Sequence, residues 1–439
     1  MEKYIAVNLD LIDGTSDHVL KDRAILINGK HVEDVLDRAQ VGTPSGIEVV
    51  DMGGATVMPG LIDAHTHLTY SRNEYSLILQ QMNEPVELNT LGAAWNAESI
   101  LSAGCTAIGD GGSRGLIACA IRDGVNRGII EGPKVVAAGQ MISGAGGIGD
   151  HTSAWGLIEN DSFLGVTATG ADEVRKVVRK QIRAGVDWVK VTASGTPGNA
   201  WIGGETQDLT FAEIAAAVEE AGKHGKYVHA HAHDRNGIID AVKAGVISIH
   251  SGEFVDDEGL ELLARSECIF LPTLAWLKFR VEEKYASRYL RSGEASQERI
   301  DAFRDECNRG YEAARKAIVK AFEMGVQLGV GSDGAHVFPP YNLVSELIAI
   351  QELGIPSMAV LKAATSVSAR AVGRAETWGT VAKGKEADLL VVNGNPADDV
   401  SILGAPGGIR AIIQNGRLVR GELNNMTPNR PARQFSVNA

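Results

Sequence analysis

Between residues 57 and 376 the chain repeats one cadence: a helical segment closes on glycine, and a short β-rich run follows within a few residues. Gly104 precedes 105–108, Gly132 precedes 134–138, Gly185 precedes 186–192, Gly225 precedes 226–231, Gly245 precedes 246–250 and Gly325 precedes 326–330. A further run, 268–271, follows a helical segment ending near Arg265. Glycine after a helix supplies the left-handed residue that turns the chain back toward a sheet. Thr210 with Glu213 reads as a capping box ahead of 214–223. With the apolar run that ends at His65 and His67, eight strands alternate with helices. Alternation implies parallel strands joined by right-handed crossovers, and eight of them imply an α/β fold closed into a (β/α)8 TIM barrel. An open doubly wound sheet is the architectural rival, but no Gly-x-Gly-x-x-Gly follows the first strand to support a dinucleotide-binding version.

Both flanks are β-rich. Runs at 4–9, 23–27 and 48–51, with a turn at Asn28-Gly29, precede the barrel, while 379–381, 388–392, 409–414 and 417–420, with a turn at Asn415-Gly416, follow it. Neither flank holds enough apolar residues to stand alone. We therefore expect residues 1–56 and 377–423 to pair into one small β-sandwich domain beside a barrel spanning 57–376. The polar segment 424–439 is expected to be disordered.

A net charge of −13 argues against nucleic acid or an anionic membrane as the main partner. The N-terminus lacks the apolar core of a signal peptide, and no apolar run approaches the roughly 20 residues needed to span a bilayer. The four cysteines have no Cys-x-x-Cys spacing and read as reduced structural thiols. The expectation is a cytoplasmic homo-oligomer that acts on a small molecule.

Active sites of such barrels lie at the C-terminal ends of the strands. Those ends carry His65 and His67, then Lys190, then His229, His231 and His233, then His250, and finally Asp333. Residues i and i+2 of a strand share a face, so His65 and His67 can address one point. Each residue alone has a plain structural explanation, such as a core histidine bonded to a carbonyl. Imidazoles and a carboxylate gathered at matching ends suit zinc or another divalent first-row metal. Lys190, within an apolar run, is costly to bury unless neutralised, paired or converted to a carbamate.

The run Pro59-Gly60-Leu61-Ile62-Asp63-Ala64-His65-Thr66-His67, the run Gly331-Ser332-Asp333-Gly334, and Gly379-Thr380-Val381-Ala382-Lys383-Gly384-Lys385-Glu386-Ala387-Asp388-Leu389 resemble the amidohydrolase superfamily, in its imidazolonepropionase-like and Xaa-Pro-dipeptidase-like branch. The resemblance implies that His65, His67 and Asp333 hold the more buried metal. It also implies that carboxylated Lys190 bridges to a second metal held by His231 and a histidine of the following strand. His233 then becomes a substrate contact, and His229 stands where relatives carry a small residue.

Two positions depart from that pattern. Relatives read Ser-Ile-Glu-His-Gly where this chain has Ser248-Ile249-His250-Ser251-Gly252. A one-residue shift turns a strand side chain to the opposite face, so His250 is expected to face away from the metals unless a bulge intervenes. One metal per chain is therefore expected, with two as the rival. Relatives that cleave dipeptides often have Val-Arg-Asp where this chain has Ile108-Gly109-Asp110, and losing that arginine removes a partner for a substrate carboxylate.

The chemistry expected is hydrolysis of a C–N bond in a small amide, urea or carbamate. Asp333 shuttles the proton of the attacking water, and His233 or His151 stabilises the oxyanion. His151, His233 and His336 are the expected substrate contacts. The rivals are an Xaa-Pro-type dipeptidase, an imidazolonepropionase-like ring hydrolase and a non-catalytic barrel scaffold.

Overall fold

The computed structural model describes residues 3–42, 46–70, 84–150, 163–197, 202–282, 296–334, 342–424 and 426. The first strands are β1 (Lys3–Leu11), β2 (Leu20–Asn28), β3 (His31–Asp37) and β4 (Glu48–Pro59). After Gly60 the chain continues directly into β5 (Leu61–Thr66), which leads to His67. The parallel strands that follow are β6 (Cys105–Asp110), β7 (Lys134–Val136), β8 (Met141–Ser143), β9 (Gly165–Thr167), β10 (Val189–Thr192), β11 (Val228–Ala232), β12 (Ser248–Ser251) and β13 (Ile269–Leu271). The chain returns to β structure as β14 (Leu389–Val392), β15 (Ile409–Gln414) and β16 (Arg417–Gly421).

The fold is α/β, and its parallel strands form two ladders, β5-β6-β7 and β13-β12-β11-β10-β8-β9. The ladder is thus not closed into one ring. A few backbone hydrogen bonds bridge the gaps. Asp187 donates to the Ala137 carbonyl at 2.8 Å, Gly329 to Phe270 at 2.9 Å, and Ala64 to Val330 at 3.0 Å. The run 326–330, expected as a strand, makes only an isolated bridge, Phe270↔Leu328. Glycines at 329 and 331 explain part of this, because β-carbons there would strike Leu271 and His65. The expected capping box is present: the Thr210 amide donates to Glu213 Oε2 at 2.8 Å, opening the helix Phe211–Gly222.

The terminal strands form one seven-stranded sheet, β16-β15-β14-β4-β1-β2-β3, rather than two stacked sheets. One face gathers Tyr4, Ile25, Ile27, Met52, Val391 and Ile413 into a core of its own. The other turns Met58, Leu390, Val392 and Ile412 into the large core shared with the barrel helices. The sheet omits 379–381, which is not a strand, and includes β3, which alternates too weakly to stand out in sequence. Met426 packs into the terminal core. Apart from it and Asn424, the tail expected to be disordered lies outside the described residues.

Candidate metal centre and active site

Alternation along β11 sets the site. Val228, Ala230 and Ala232 face outward into the helix-lined core. The intervening His229 and His231, and His233 just past the strand, therefore turn inward. His65 and His67 are buried, and both direct Nε2 to one carboxylate oxygen: Asp333 Oδ1 lies 3.5 Å from His65 and 3.1 Å from His67. Among the described residues, His65, His67 and Asp333 are the one group of three such donors whose ligand atoms lie within 4.8 Å of one another.

The surroundings fix these side chains. His67 Nδ1 lies 2.7 Å from the Gly112 carbonyl, which can only accept, so Nδ1 carries a proton and Nε2 is the nitrogen turned to the shared point. Asp110 shapes the loop that supplies that carbonyl, accepting from Gly112 N–H at 3.2 Å and Ser113 Oγ at 2.8 Å. Tyr70 stacks on the His67 ring with centroids 4.5 Å apart. A β-carbon at Gly111 would lie 2.5 Å from His65 Cδ2, and one at Gly331 would lie 2.5 Å from His65 Cβ, so the imidazole fits only because both positions lack one. Asp63 ties the two strand ends together, accepting from the Ser332 amide at 2.9 Å and from its hydroxyl at 2.5 Å. Burial pushes the Asp63 carboxyl up to about 7, against the pull of those donors.

Backbone conformation marks the same region. Ser251, Thr273 and Asp333 have φ of 85°, 42° and 53°, a region that side-chain-bearing residues seldom occupy. Such outliers cluster where function demands a particular side-chain direction. Ser251 Oγ meets Thr273 Oγ1 at 3.3 Å instead of joining the histidines.

His250 corrects the expectation that it faces away. On β12 it is Ile249 that faces the helix-lined core, so Ser248 and His250 face inward. His250 is fully buried, with Nδ1 2.8 Å from Lys190 Nζ and its ring 4.0 Å from that of His65. The reasoning from relatives assumed that position 251 faces inward on a regular strand. In β12 the alternation itself has Ile249 outward and Ser248 and His250 inward, and the left-handed Ser251 follows them, so position 250 is the inward one.

A chain of nitrogens therefore runs through the interior. Lys190 Nζ lies 3.3 Å from His65 Nε2, and His250 Nε2 lies 3.1 Å from His229 Nδ1. Burial, and then the adjacent Lys190 charge, hold His65, His229 and His250 well below the ordinary imidazole range. Burial likewise brings the Lys190 ammonium down to about 7, opposed by Asp333 and Asp110. His231 is engaged elsewhere, its Nε2 3.1 Å from the Gly195 carbonyl. His231 thus lies against a carbonyl, while His250 lies against Lys190. His151 and His336 lie outside the described residues.

Gly109 also has a physical reason. A β-carbon there would sit 2.7 Å from Trp188 Cη2 and 2.8 Å from the Ala64 carbonyl. Trp188 stacks on His229 with centroids 3.6 Å apart and donates its indole N–H to the Asp110 carbonyl at 3.0 Å. The indole fills the space that a longer residue at 109 would need. Asp63, Asp110, Trp188 and Glu253 were not singled out as site residues from the sequence. Asp63 and Asp110 did stand within runs set against the family pattern, and Trp188 lies two residues before Lys190.

The amidohydrolase family model matches residues 56–419. Ochratoxinase of Aspergillus niger is 28% identical over 382 residues, covering 83% of this chain and 76% of that protein. A solved Xaa-Pro dipeptidase with methionine in its active site is 28% identical, covers 95% of this chain and 100% of its own, and superposes with a TM-score of 0.82. A prolidase solved with N-methylphosphonate-L-proline is 26% identical, covers 96% of this chain and 100% of its own, and reaches a TM-score of 0.83. With the match spanning most of its length and a His-x-His pair facing an aspartate at its centre, the chain belongs to the amidohydrolase family and is a hydrolase acting on carbon–nitrogen bonds.

Proposed function

We propose that the protein hydrolyses the C–N bond of a small neutral amide, urea or carbamate on a scaffold of the (β/α)8 type, with one divalent ion, zinc or a similar first-row metal, held by His65, His67 and Asp333. The observation that carries this reading is the convergence of two imidazole nitrogens on Asp333 Oδ1. The donor set fits such an ion: two imidazoles and a carboxylate are ligands it takes, and with His67 Nδ1 engaged by the Gly112 carbonyl it is Nε2 that is turned to the site. When bound, the ion supplies Lewis-acid chemistry that activates water and polarises a carbonyl. Asp333 takes the proton of the attacking water and returns it to the leaving nitrogen. His233 contacts the substrate, the lone pair of its Nε2 accepting from a donor such as the substrate N–H, and His151 meets the oxygen that becomes negative. His151 and His336 are further substrate contacts in this reading. Lys190 remains an amine against His250, with no second ion to bridge.

Filling of the space beside Gly109 supports a neutral substrate, because a cation for a substrate carboxylate is not supplied there. A dipeptide substrate is the second reading, favoured by the solved Xaa-Pro dipeptidase. The test is elemental analysis of protein purified without chelator, joined to a screen of amides, ureas, carbamates and Xaa-Pro dipeptides. About one metal per chain is expected, with a higher kcat/KM for the neutral compounds. Two metals at full occupancy would overturn the one-metal centre. A clear preference for dipeptides would overturn the substrate class, and absence of turnover with every compound would favour a scaffold.

A further inference from the structure

Buried carboxylates in this protein are satisfied mainly by backbone amides or hydroxyls. Glu346 accepts from the Leu274 and Ala275 amides at 2.8 and 2.6 Å, and Asp234 accepts from Asn236 and Gly237 at 3.0 Å each. Glu253 is different. It is 2% exposed, its Oε2 is bonded to His233 Nδ1, and its Oε1 has no partner among the described residues. His233 is 3% exposed, and its Nε2 has no partner among them either. Leaving polar atoms buried and unmatched is unfavourable, so two in one contact call for a reason other than packing.

The backbone on both sides is built to hold this contact. The His233 amide donates to Ser194 Oγ at 2.7 Å, and its carbonyl accepts from the Phe254 amide at 3.0 Å. Asp234 immediately caps the helix Arg235–Ala244, which anchors the chain just beyond the imidazole. Gly252, at φ 88°, turns the chain after β12 so that Glu253 comes back over His233. A β-carbon at 252 would lie 2.4 Å from Phe270 Cε2, so this turn is open only to glycine.

We propose that Glu253 is the positioning residue for His233. The carboxylate keeps Nδ1 a proton donor and locks the ring plane, which leaves Nε2 as the one ring nitrogen free to meet a substrate. This inference rests on the role given to His233 under the proposed function. It goes further by naming what holds the imidazole and which of its nitrogens is turned to the reacting group. A ring held in one tautomer and one orientation does not reorganise during the reaction, which is where such support acts.

The test compares Glu253→Gln with wild type, alone and in a His233→Ala background, using the best substrate of the amide screen. Glu253→Gln is expected to lower kcat about 10–100-fold with KM nearly unchanged, and to have less than about a twofold effect once His233 is gone. An unchanged kcat, or an equal loss in both backgrounds, would overturn the proposal. A second readout needs no turnover: 15N-histidine NMR of the whole protein, with His233 assigned from His233→Ala. Wild type should show His233 with its proton on Nδ1, and Glu253→Leu should shift the ring toward the other tautomer. The same tautomer in both proteins would sink the proposal. If no amide is hydrolysed, the reading of the reaction fails while the NMR result still decides the role of Glu253.

Discussion

At the scale of single residues, two histidine nitrogens and one carboxylate oxygen meet at a point, and the chain around them is arranged to keep them there. Asp333 sits at φ 53°, and its amide donates to the His65 carbonyl at 2.7 Å. That bond ties the aspartate to the strand that carries its partners. Replacing Asp333 with Asn keeps the shape but removes both a ligand and the base. Turnover should fall by at least about two powers of ten, with the thermal midpoint little changed. Activity within a few fold of wild type would remove Asp333 from the mechanism. The two histidines were legible in sequence because a His-x-His pair at a strand end needs only the period of a strand to be interpreted. Glu253 was not, since its contact with His233 depends on the turn at Gly252 and on the distance between two different loops.

At the scale of elements, β12 keeps a regular alternation but in the phase opposite to the one carried over from relatives. That reasoning placed position 251 inward, whereas with Ile249 in the outer core Ser248 and His250 are the inward pair. The neighbouring strand ends respond together: Trp188, His229 and Gly109 occupy one connected space, so each departure from the expected pattern is accommodated by the others. Gly109→Ala tests that connection. Its β-carbon would press on Trp188 and on the Ala64 carbonyl, and destabilisation of about 1–3 kcal/mol is expected, read as a lower denaturant midpoint. A midpoint equal to wild type would mean that the indole moves freely. The run 326–330 was read as a strand from its apolar character. Gly329 within it, and Gly331 just after it, instead serve close approach to Leu271 and His65, and the run makes only an isolated bridge to Phe270.

At the scale of the molecule, the seven-stranded terminal sheet is tied to the barrel by Lys134 of β7. Its ammonium bonds both Glu386 and Asp388, next to β14, and Glu386 also receives the Trp378 indole N–H at 2.8 Å. Burial pushes the Glu386 carboxyl up, but Lys134, Lys30 and the indole outweigh it and hold it at about 2, below its ordinary 4.5. A carboxylate whose folded pKa is depressed stabilises the fold above its ordinary value and loses that contribution as pH falls through the folded one. The tie should therefore weaken between about pH 4.5 and pH 2. Glu386→Gln should cost about 1–3 kcal/mol at neutral pH, because it leaves Lys134 less well matched. The difference from wild type should shrink over that acid window, and thermal midpoints measured from pH 7 to pH 3 provide the check. A difference independent of pH would show that the ion pair does not carry the contact.

Local chemistry was decided by the sequence alone. Glycines closing helices set the alternation of helix and strand, the Thr210–Glu213 box marked a helix start, and His65 and His67 marked a strand end able to hold a metal. These signals act over a few residues, where backbone geometry leaves little choice. Tertiary structure decided which of two adjacent positions on β12 faces inward. It also placed His231 against a carbonyl, filled the space beside Gly109 with Trp188, and set a buried glutamate behind His233. Each of these depends on side chains far apart in the chain competing for one volume or one hydrogen bond. No local period records how that competition ends.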